Sequence, residues 1–422
     1  MEKEKLKIFL SYHKKTPCYK SEVFQPIHVG AENSAEIVDF AISDNTGENI
    51  SYLNPYYCEL TGYYWVLKNY INHCDDAYIG FSHYRRLPDI LNISDADTPS
   101  IYGMGYNESK VFFEEMDKSD LAYYCKDFDI ILPCSVYLYA KTVNPQLRSD
   151  EEHYNVYDQF KIEHNGSDLL DRLKIVIESD YPQYINALSK CFLSERTHSF
   201  NIYIMKKELL KSFLEWEFDI LEKVGKLTGG WQQDKYLRMA GFVGECLINV
   251  WLNYNNTLKK GYVPIYMVDF ESDYILKANQ LHEEAEYEEE IGVLKELVSV
   301  SSQKFDVYVS IVRLYLSLKD RENTQKYLEE AERYAYVSDE FFELGELYKE
   351  LENGEKAEYY YIKTIEHDNS NKFYASSFLY YAETTKNLTL INKAWKYMLN
   401  FELTQSEQSK YDSFKRIFSK IC

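Results

Sequence analysis

The chain has 422 residues, enough for two or three domains with sizeable cores. Its formal net charge of −21 argues against nonspecific nucleic-acid binding and against adhesion to an anionic membrane through a general basic surface. Apolar residues make 45% and charged residues 27%, a globular balance, and the 41 tyrosines can serve both cores and sugar-stacking surfaces.

Met1-Glu2-Lys3-Glu4-Lys5 leads straight into a strand, without a stretch of signal-peptide type. No apolar run approaches the ~20 residues of a membrane span. A cytoplasmic chain is expected. None of the eight cysteines forms a C-x-x-C pair, so they read as thiols in a reducing compartment rather than as a zinc or redox motif.

Lys7–Tyr12 is predicted as the first strand, ending at His13-Lys14-Lys15. Residues 16–53 read as irregular. Asn54-Pro55 then predicts a helix start, with Asn54 as N-cap and Pro55 at the first helical position. That helix is expected to run to Asn69, with Leu60, Tyr63, Tyr64, Leu67 and Ile71 on its apolar face. Ala77–Ser82 reads as a buried strand, and His83-Tyr84-Arg85-Arg86 follows at once. Phe128–Pro133 is a further strand, and 151–193 reads as helical. Phe200–Met205 is predicted as a strand, followed by helices from Lys207 to about Lys223 and from about Asp234 to Asn253. Tyr262–Tyr266 is a last short strand. Strands alternating with helices predict an α/β sheet.

The character changes near residue 277, where an acidic run, His282–Glu290, opens a segment without strand pattern. Leu314-Tyr315 aligns with Leu347-Tyr348, Leu318 with Leu351, and Tyr327 with Tyr360. This segment resembles the tetratricopeptide repeat, and residues 373–400 look like a degenerate further unit. Two domains are expected: 1–276, α/β, and 277–422, an all-α helical array. Stacked helix pairs make a concave surface for a protein partner or for self-association.

Ligand sites in open α/β sheets lie at the carboxyl ends of strands, and arginine suits phosphate. Arg85 and Arg86 are therefore candidates to neutralise a leaving diphosphate. Their alternative is a structural ion-pair cluster with Asp75 or Asp76. His83 reads equally as a phosphate donor or a core histidine. Tyr12, His13 and Lys14 end the first strand, where a base, ribose or phosphate would sit. Asp44, Asn45 and Asn49 offer donors and acceptors to sugar hydroxyls, or else form an Asx turn. Glu59 reads as a ligand to the donor or as a carboxylate favoured near a helix start. Glu245 is the candidate general base. On the 234–253 helix it would share a polar line with Asp234, Arg238 and Asn249; the alternative is an internal Arg238–Glu245 ion pair. Trp216 and Trp231 are candidates to stack on a sugar or to fill the core. The D-x-D strings at Asp95/Asp97 and Asp127/Asp129 do not end strands, so no metal ligand is assigned; Mn or Mg stays open.

The N-terminal part also resembles a bacterial family of capsular and exopolysaccharide glycosyltransferases, catalogued as domain of unknown function 4422. It is related to glycosyltransferase family 111, whose recorded activity is galactofuranosyl transfer. The resemblance rests on Tyr12-His13-Lys14, Asp44–Ser51, Asn54 with Tyr57–Thr61, Tyr64-Trp65 with Lys68-Asn69, and Tyr78–Gly80 with His83–Arg86. It continues through Asp129–Ile131, His164, Asn201 with Met205–Glu208, Trp216, and Arg238 with Gly241-Phe242 and Glu245. The family often has Asp where Asn45 and Glu48 stand here, and Arg where Cys246 stands. The resemblance implies a GT-A-like nucleotide-sugar fold, with Asn201 and Arg238 among the donor-binding residues. It implies transfer from a nucleotide sugar, first UDP-galactofuranose, to a growing and lipid-linked glycan, with recruitment to the inner face of the membrane. Two other classes remain: a noncatalytic scaffold with a degenerate transferase domain, and a phosphotransferase.

Overall fold

The structure, a computed structural model, describes residues 4–138, 154–164 and 167–421. The chain divides into two compact units, Met1–Asp273 and Tyr274–Cys422. The strands of the first are β1 Leu6–Tyr12, β2 Phe24–His28, β3 Ile42–Ser43, β4 Tyr78–His83, β5 Arg86–Pro88, β6 Ile101–Gly105, β7 Ile130–Pro133, β8 Val136–Tyr137, β9 Arg196–Thr197, β10 Tyr203–Lys206, β11 Lys260–Val263 and β12 Ile265–Asp269. Its helices are α1 Asn54–Tyr57, α2 Leu60–Asn69, α3 Tyr106–Asp117, α4 Leu121–Cys125, α5 Val156–His164, α6 Ser167–Asp180, α7 Ile185–Phe192, α8 Lys207–Thr228 and α9 Met239–Tyr254.

The main sheet runs β11-β7-β10-β4-β1-β2-β3. β4, β1, β2 and β3 are parallel neighbours, whereas β10 runs antiparallel to both β4 and β7. The α/β expectation holds, as a mixed sheet. β1 and β4 are central, and their near-continuous apolar runs suit strands covered on both faces. On one face Phe9, Ile79 and Phe81 pack under Tyr63 of α2 and Phe213 of α8. Tyr63 stacks on Phe81 at 3.8 Å between centroids.

Several predicted elements are divided. The helix expected over 54–69 breaks at Cys58, whose φ of 52° ends α1. Asn54 is inside α1 rather than its N-cap; its amide donates to the Cys58 carbonyl at 2.7 Å and stitches the break. The 151–193 region becomes three helices, with a turn at Pro182; residues 151–153 and the His164 side chain lie outside the described residues. Phe200 and Asn201 have φ of 77° and 52°, so the strand there starts at Tyr203. α8 runs on to Thr228, until Gly229 takes the left-handed conformation. The helix expected from Asp234 starts only at Met239, because Arg238 has φ 65°. Pro264 divides the last strand into β11 and β12.

The second unit is all helix: α10 Ser272–Glu283 crosses into it, followed by α11 Tyr287–Val300, α12 Lys304–Ser317, α13 Arg321–Glu332, α14 Ser338–Glu350, α15 Gly354–His367, α16 Lys372–Thr385, α17 Leu388–Met398 and α18 Gln405–Ile421. The acidic run is broken by Ala285 at φ 59°. The aligned residues fall on equivalent helix pairs, α12/α13 and α14/α15, and the degenerate unit is α16/α17. Tyr348 lies parallel to Tyr360 at 5.7 Å, and Tyr361 stacks on Tyr381 at 5.0 Å, so aromatic rings fill the spaces within and between pairs.

Gly80 lets the central strands lie flush. A Cβ there would meet Ile204 Cγ1 at 2.5 Å and the Tyr203 carbonyl oxygen at 3.1 Å. Backbone on one side cannot give way. Gly80→Ala is expected to destabilise the protein by about 1–3 kcal/mol through overpacking, seen as a lower urea midpoint.

Candidate active site

β1 and β4 run in register to their carboxyl ends, Ser11 pairing with His83. Beyond them lies a cavity of about 360 Å³. Ser11 and His13 come from β1 and its exit, His83, Tyr84 and Arg85 from the tip of β4 and the turn after it, and Arg86 from the start of β5. The α1–α2 break supplies Asn54, Cys58 and Glu59, and the residue before α9 supplies Arg238. The left-handed backbone at Arg238 directs its N–H to the Pro55 carbonyl at 2.8 Å, tying the start of α9 to α1.

The two adjacent arginines differ. Arg85 is exposed. Arg86 is half-buried, with its guanidinium 4.5 Å from the Phe200 ring centroid and its Nε buried without a partner among the described residues. Burial, then the Arg85 charge, lowers the Arg86 pKa, while Glu245 and Glu59 oppose that. Among the described residues, Arg85, Arg86 and Arg238 take part in no ion pair within 4.0 Å. The ion-pair alternative fails on placement: Asp75 bonds Lys5 at 2.6 Å and Asp76 accepts from the Tyr70 hydroxyl at 2.7 Å, both at the opposite end of β4.

The carboxylates are graded by position. Glu59 is on the cavity wall, and its Oε1 accepts from the Asn201 amide at 2.6 Å. Asn201 also donates to the Gly241 carbonyl at 3.2 Å. Glu245 is on α9, outside the lining residues. Burial and then the Glu59 charge push its carboxyl up to about 7, against the Phe200 backbone, Arg86 and Arg238. The His83 ring contacts the Phe200 carbonyl through Nε2 at 2.7 Å, and burial lowers its pKa. His13 turns an exposed edge to solvent, yet desolvation and the surrounding Lys14, Arg85, His83 and Arg238 bring it down to about 4. Burial and Glu59 push the Cys58 thiol up to about 12.

Thus His13, Glu59, His83, Arg85, Arg86 and Arg238 meet at one cavity, with Asn201 and Glu245 immediately behind it. The other expected site residues lie elsewhere. Tyr12 is a core residue, 2% exposed and stacked on Tyr84 at 5.2 Å. Lys14 does not line the cavity. Asp44 is fully buried and accepts from Gly30 N–H at 2.8 Å, Ala31 N–H at 3.0 Å, Thr61 Oγ1 at 2.6 Å and the Ser51 hydroxyl. Asn45 is exposed and Asn49 half-buried. Asn49 forms the turn reading, bonding Gly47 O and Ser51 N. The polar line on α9 dissolves: Asp234 is exposed in a separate 3₁₀ turn, and Asn249 is spent on Thr197 and His198. Trp216 and Trp231 are both core residues; Trp231 donates to the Leu221 carbonyl.

The two D-x-D strings do not fit a metal. Asp97 accepts from the Ser135 N–H and hydroxyl at 2.6 and 2.7 Å, and Asp129 pairs with Lys206 at 2.7 Å. The cavity wall carries one carboxylate among three guanidiniums, a donor set suited to an anion. Sequence reasoning missed Ser11, Asn54 and Cys58 as lining residues, and missed Glu217 on α8. Glu217 had a visible signal: an acid within the apolar run Phe213, Trp216, Ile220, Leu221, Val224.

The family described as domain of unknown function (DUF4422) matches residues 7–256. The chain belongs to this family. Its DUF4422 region contains every cavity residue named above. The chain is similar to the apo structure of WbbM, a bifunctional glycosyltransferase, at 25% identity and a TM-score of 0.54. That match covers 64% of this chain and 46% of WbbM, so the chain spans less than half the length of that relative. The DUF4422 region thus has a mixed sheet domain like that of a glycosyltransferase. MamA, and YrrB, a TPR protein with an unusual peptide-binding site, match at TM-scores of 0.25 and 0.24 and identities of 18% and 19%. They cover 35% and 30% of this chain, and 79% and 66% of their own. No curated protein matches the chain.

Two outcomes follow from these surroundings. Asp44→Ala leaves several buried donors without an acceptor, and is expected to cost about 3–5 kcal/mol in urea unfolding. Glu245 carries a folded pKa above its unfolded value, so the folded state binds the extra proton and stability falls as pH rises from about 4.5 through about 7. Glu245→Gln removes that dependence. The urea midpoint of the variant relative to wild type is expected to be higher at pH 8 than at pH 5.

Proposed function

We propose that the N-terminal unit is a glycosyltransferase whose arginine cavity receives the diphosphate of a nucleotide sugar. One observation carries the reading: a chain of net charge −21 gathers Arg85, Arg86, Arg238, His13 and His83 in one cavity with a single lining carboxylate. Guanidinium forks match phosphate oxygens, and a partly desolvated one is worth more to a developing charge than one in water. The place is also the carboxyl end of parallel strands, where open α/β sheets take ligands.

In the transfer, an acceptor hydroxyl attacks the anomeric carbon while the bond from that carbon to the diphosphate oxygen breaks. The electron pair leaves on the diphosphate, held by Arg86, Arg85 and Arg238. Glu245, behind the lining, takes the hydroxyl proton through one water; a carboxyl near 7 is matched to that task at neutral pH. Glu59, oriented by Asn201, accepts from hydroxyls of the donor sugar, and His13 donates to the nucleotide end; the N–H of the neutral His83 ring stays on the Phe200 carbonyl. The family resemblance makes UDP-galactofuranose the first donor and a growing, lipid-linked capsular or exopolysaccharide glycan the first acceptor. No described helix is long and apolar enough to cross a membrane, so we assign peripheral contact at the inner face. The helical unit would dock a protein partner or a second copy.

The test is a thermal-shift panel with UDP, GDP and CMP, each with and without manganese. One nucleotide is expected to stabilise the protein without metal, by about 2.7 kcal/mol at a hundredfold excess over Kd. The shift is expected to vanish in Arg86→Ala and weaken in Arg85→Ala and Arg238→Ala. No shift with any nucleotide overturns the reading. Release of a sugar phosphate instead of a nucleoside diphosphate would mark a phosphotransferase.

A further inference from the structure

Behind the cavity is a buried acid that the mechanism above does not use. Glu217 lies on α8, is 0% exposed, and neither of its carboxyl oxygens has a hydrogen-bond partner among the described residues. Asn201, 1% exposed, uses both donors of its amide, to Glu59 and Gly241, but its Oδ1 is likewise buried and unpartnered. The two meet over one residue. A Cβ on Gly244 would stand 3.1 Å from Glu217 Oε1 and 3.5 Å from Asn201 Oδ1. Glycine therefore leaves open the space that both oxygens face.

Two buried acceptors facing one space repel unless a proton lies between them. Glu217 is the group able to carry it. Desolvation first, and then the Glu59 charge, raise its pKa well above the carboxylate range. A protonated carboxyl has one O–H donor, and Asn201 Oδ1 is a free acceptor. A flipped Asn201 amide would set its oxygen against the Glu59 carboxylate and its NH2 against the acid, losing the 2.6 Å bond at the cavity wall.

We propose that Glu217 is a positioning residue: its carboxyl O–H, directly or through one water over Gly244, engages Asn201 Oδ1 and so aims the Asn201 amide N–H at Glu59. The Glu59 carboxylate is thereby held on the cavity wall in one orientation, ready for a sugar hydroxyl. That last step rests on the transferase reading; the Glu217–Asn201 contact does not.

The test uses the full chain with Glu217→Gln and Glu217→Leu. Glutamine keeps a donor and leucine removes it at similar volume. In infrared difference spectra, wild type minus Glu217→Gln is expected to show the carbonyl stretch of a protonated, buried carboxyl. For transfer, Glu217→Gln is expected to stay within about threefold of wild type. Glu217→Leu is expected to fall about tenfold or more in kcat/KM for the sugar donor. UDP binding and Tm in Glu217→Leu should be retained, since the arginines are untouched and an apolar side chain suits the site. A carboxylate band in place of the acid band overturns the proposal, as does equal transfer by the two variants. A wild type silent in transfer would remove the transferase reading and leave the infrared result to decide the Glu217 proton.

Discussion

The site depends on holding the Arg86 guanidinium charged while taking it partly out of water. A guanidinium stays protonated under such burial, because its pKa starts above 12. The protein keeps it there without an ion pair among the described residues. It offers instead the face of Phe200 at 4.5 Å and the more distant fields of Glu245 and Glu59. An adjacent carboxylate would have stabilised the arginine and occupied it. Indirect compensation leaves the fork open to an anion. Burial first, and then the neighbouring cations, push His13 and His83 toward the neutral form; Arg86 is among those cations for His83.

That arrangement requires backbone that ordinary helices and strands cannot supply. Among the described non-glycine residues of the first unit, those with positive φ are Phe40, Cys58, Phe200, Asn201 and Arg238. All but Phe40 border the cavity or bond a residue that does. Cys58 breaks α1 from α2 and turns Glu59 to the wall. Phe200 and Asn201 form the ledge under His83, Arg86 and Glu59. Arg238 holds the start of α9 back to Met239 and lines the cavity. In the helical unit the same conformation at Ala285, Lys319, Glu352 and Lys386 lies between or at the ends of helices. Strained backbone clustered at one cavity is where ligand contact is commonly found.

The sequence showed the strand tip, the alternation of strands and helices, and the repeat, because each is carried by local pattern. Ala77–Ser82 is apolar and short, and Arg85-Arg86 can only be its exit. The four left-handed residues were not legible, since none of Cys, Phe, Asn and Arg has the glycine signature of that conformation. The helices over 54–69 and from Asp234 therefore read as unbroken. The motif at Asp44–Ser51 misled for another reason. It travels with Tyr64-Trp65 and Lys68-Asn69 because these are one structural unit. Trp65 Nε1 donates to Thr46 Oγ1 at 2.9 Å, Lys68 pairs with Glu48 at 3.0 Å, and Asn69 bonds the Glu48 backbone. Asp44 anchors that unit from below through Gly30, Ala31 and Thr61. Gly30 in turn abuts Asn54 of the cavity wall, where an added Cβ would stand 2.5 Å from Asn54 Cγ.

The three acids around Asn201 show how position sets the work a carboxyl can do. Glu59 faces the cavity and receives the Asn201 amide N–H. Glu245 is outside the cavity lining, near enough to Arg86 and Arg238 for their charges to offset part of its burial, and so titrates near neutrality. Glu217 is fully buried with no cation to offset it, so burial and then the Glu59 charge raise its pKa well above the carboxylate range. One residue type thus stands in three different surroundings around Asn201. The arginine charges offset the burial of Glu245 and not that of Glu217, which ties the proton on Glu245 to the charge at the strand tip.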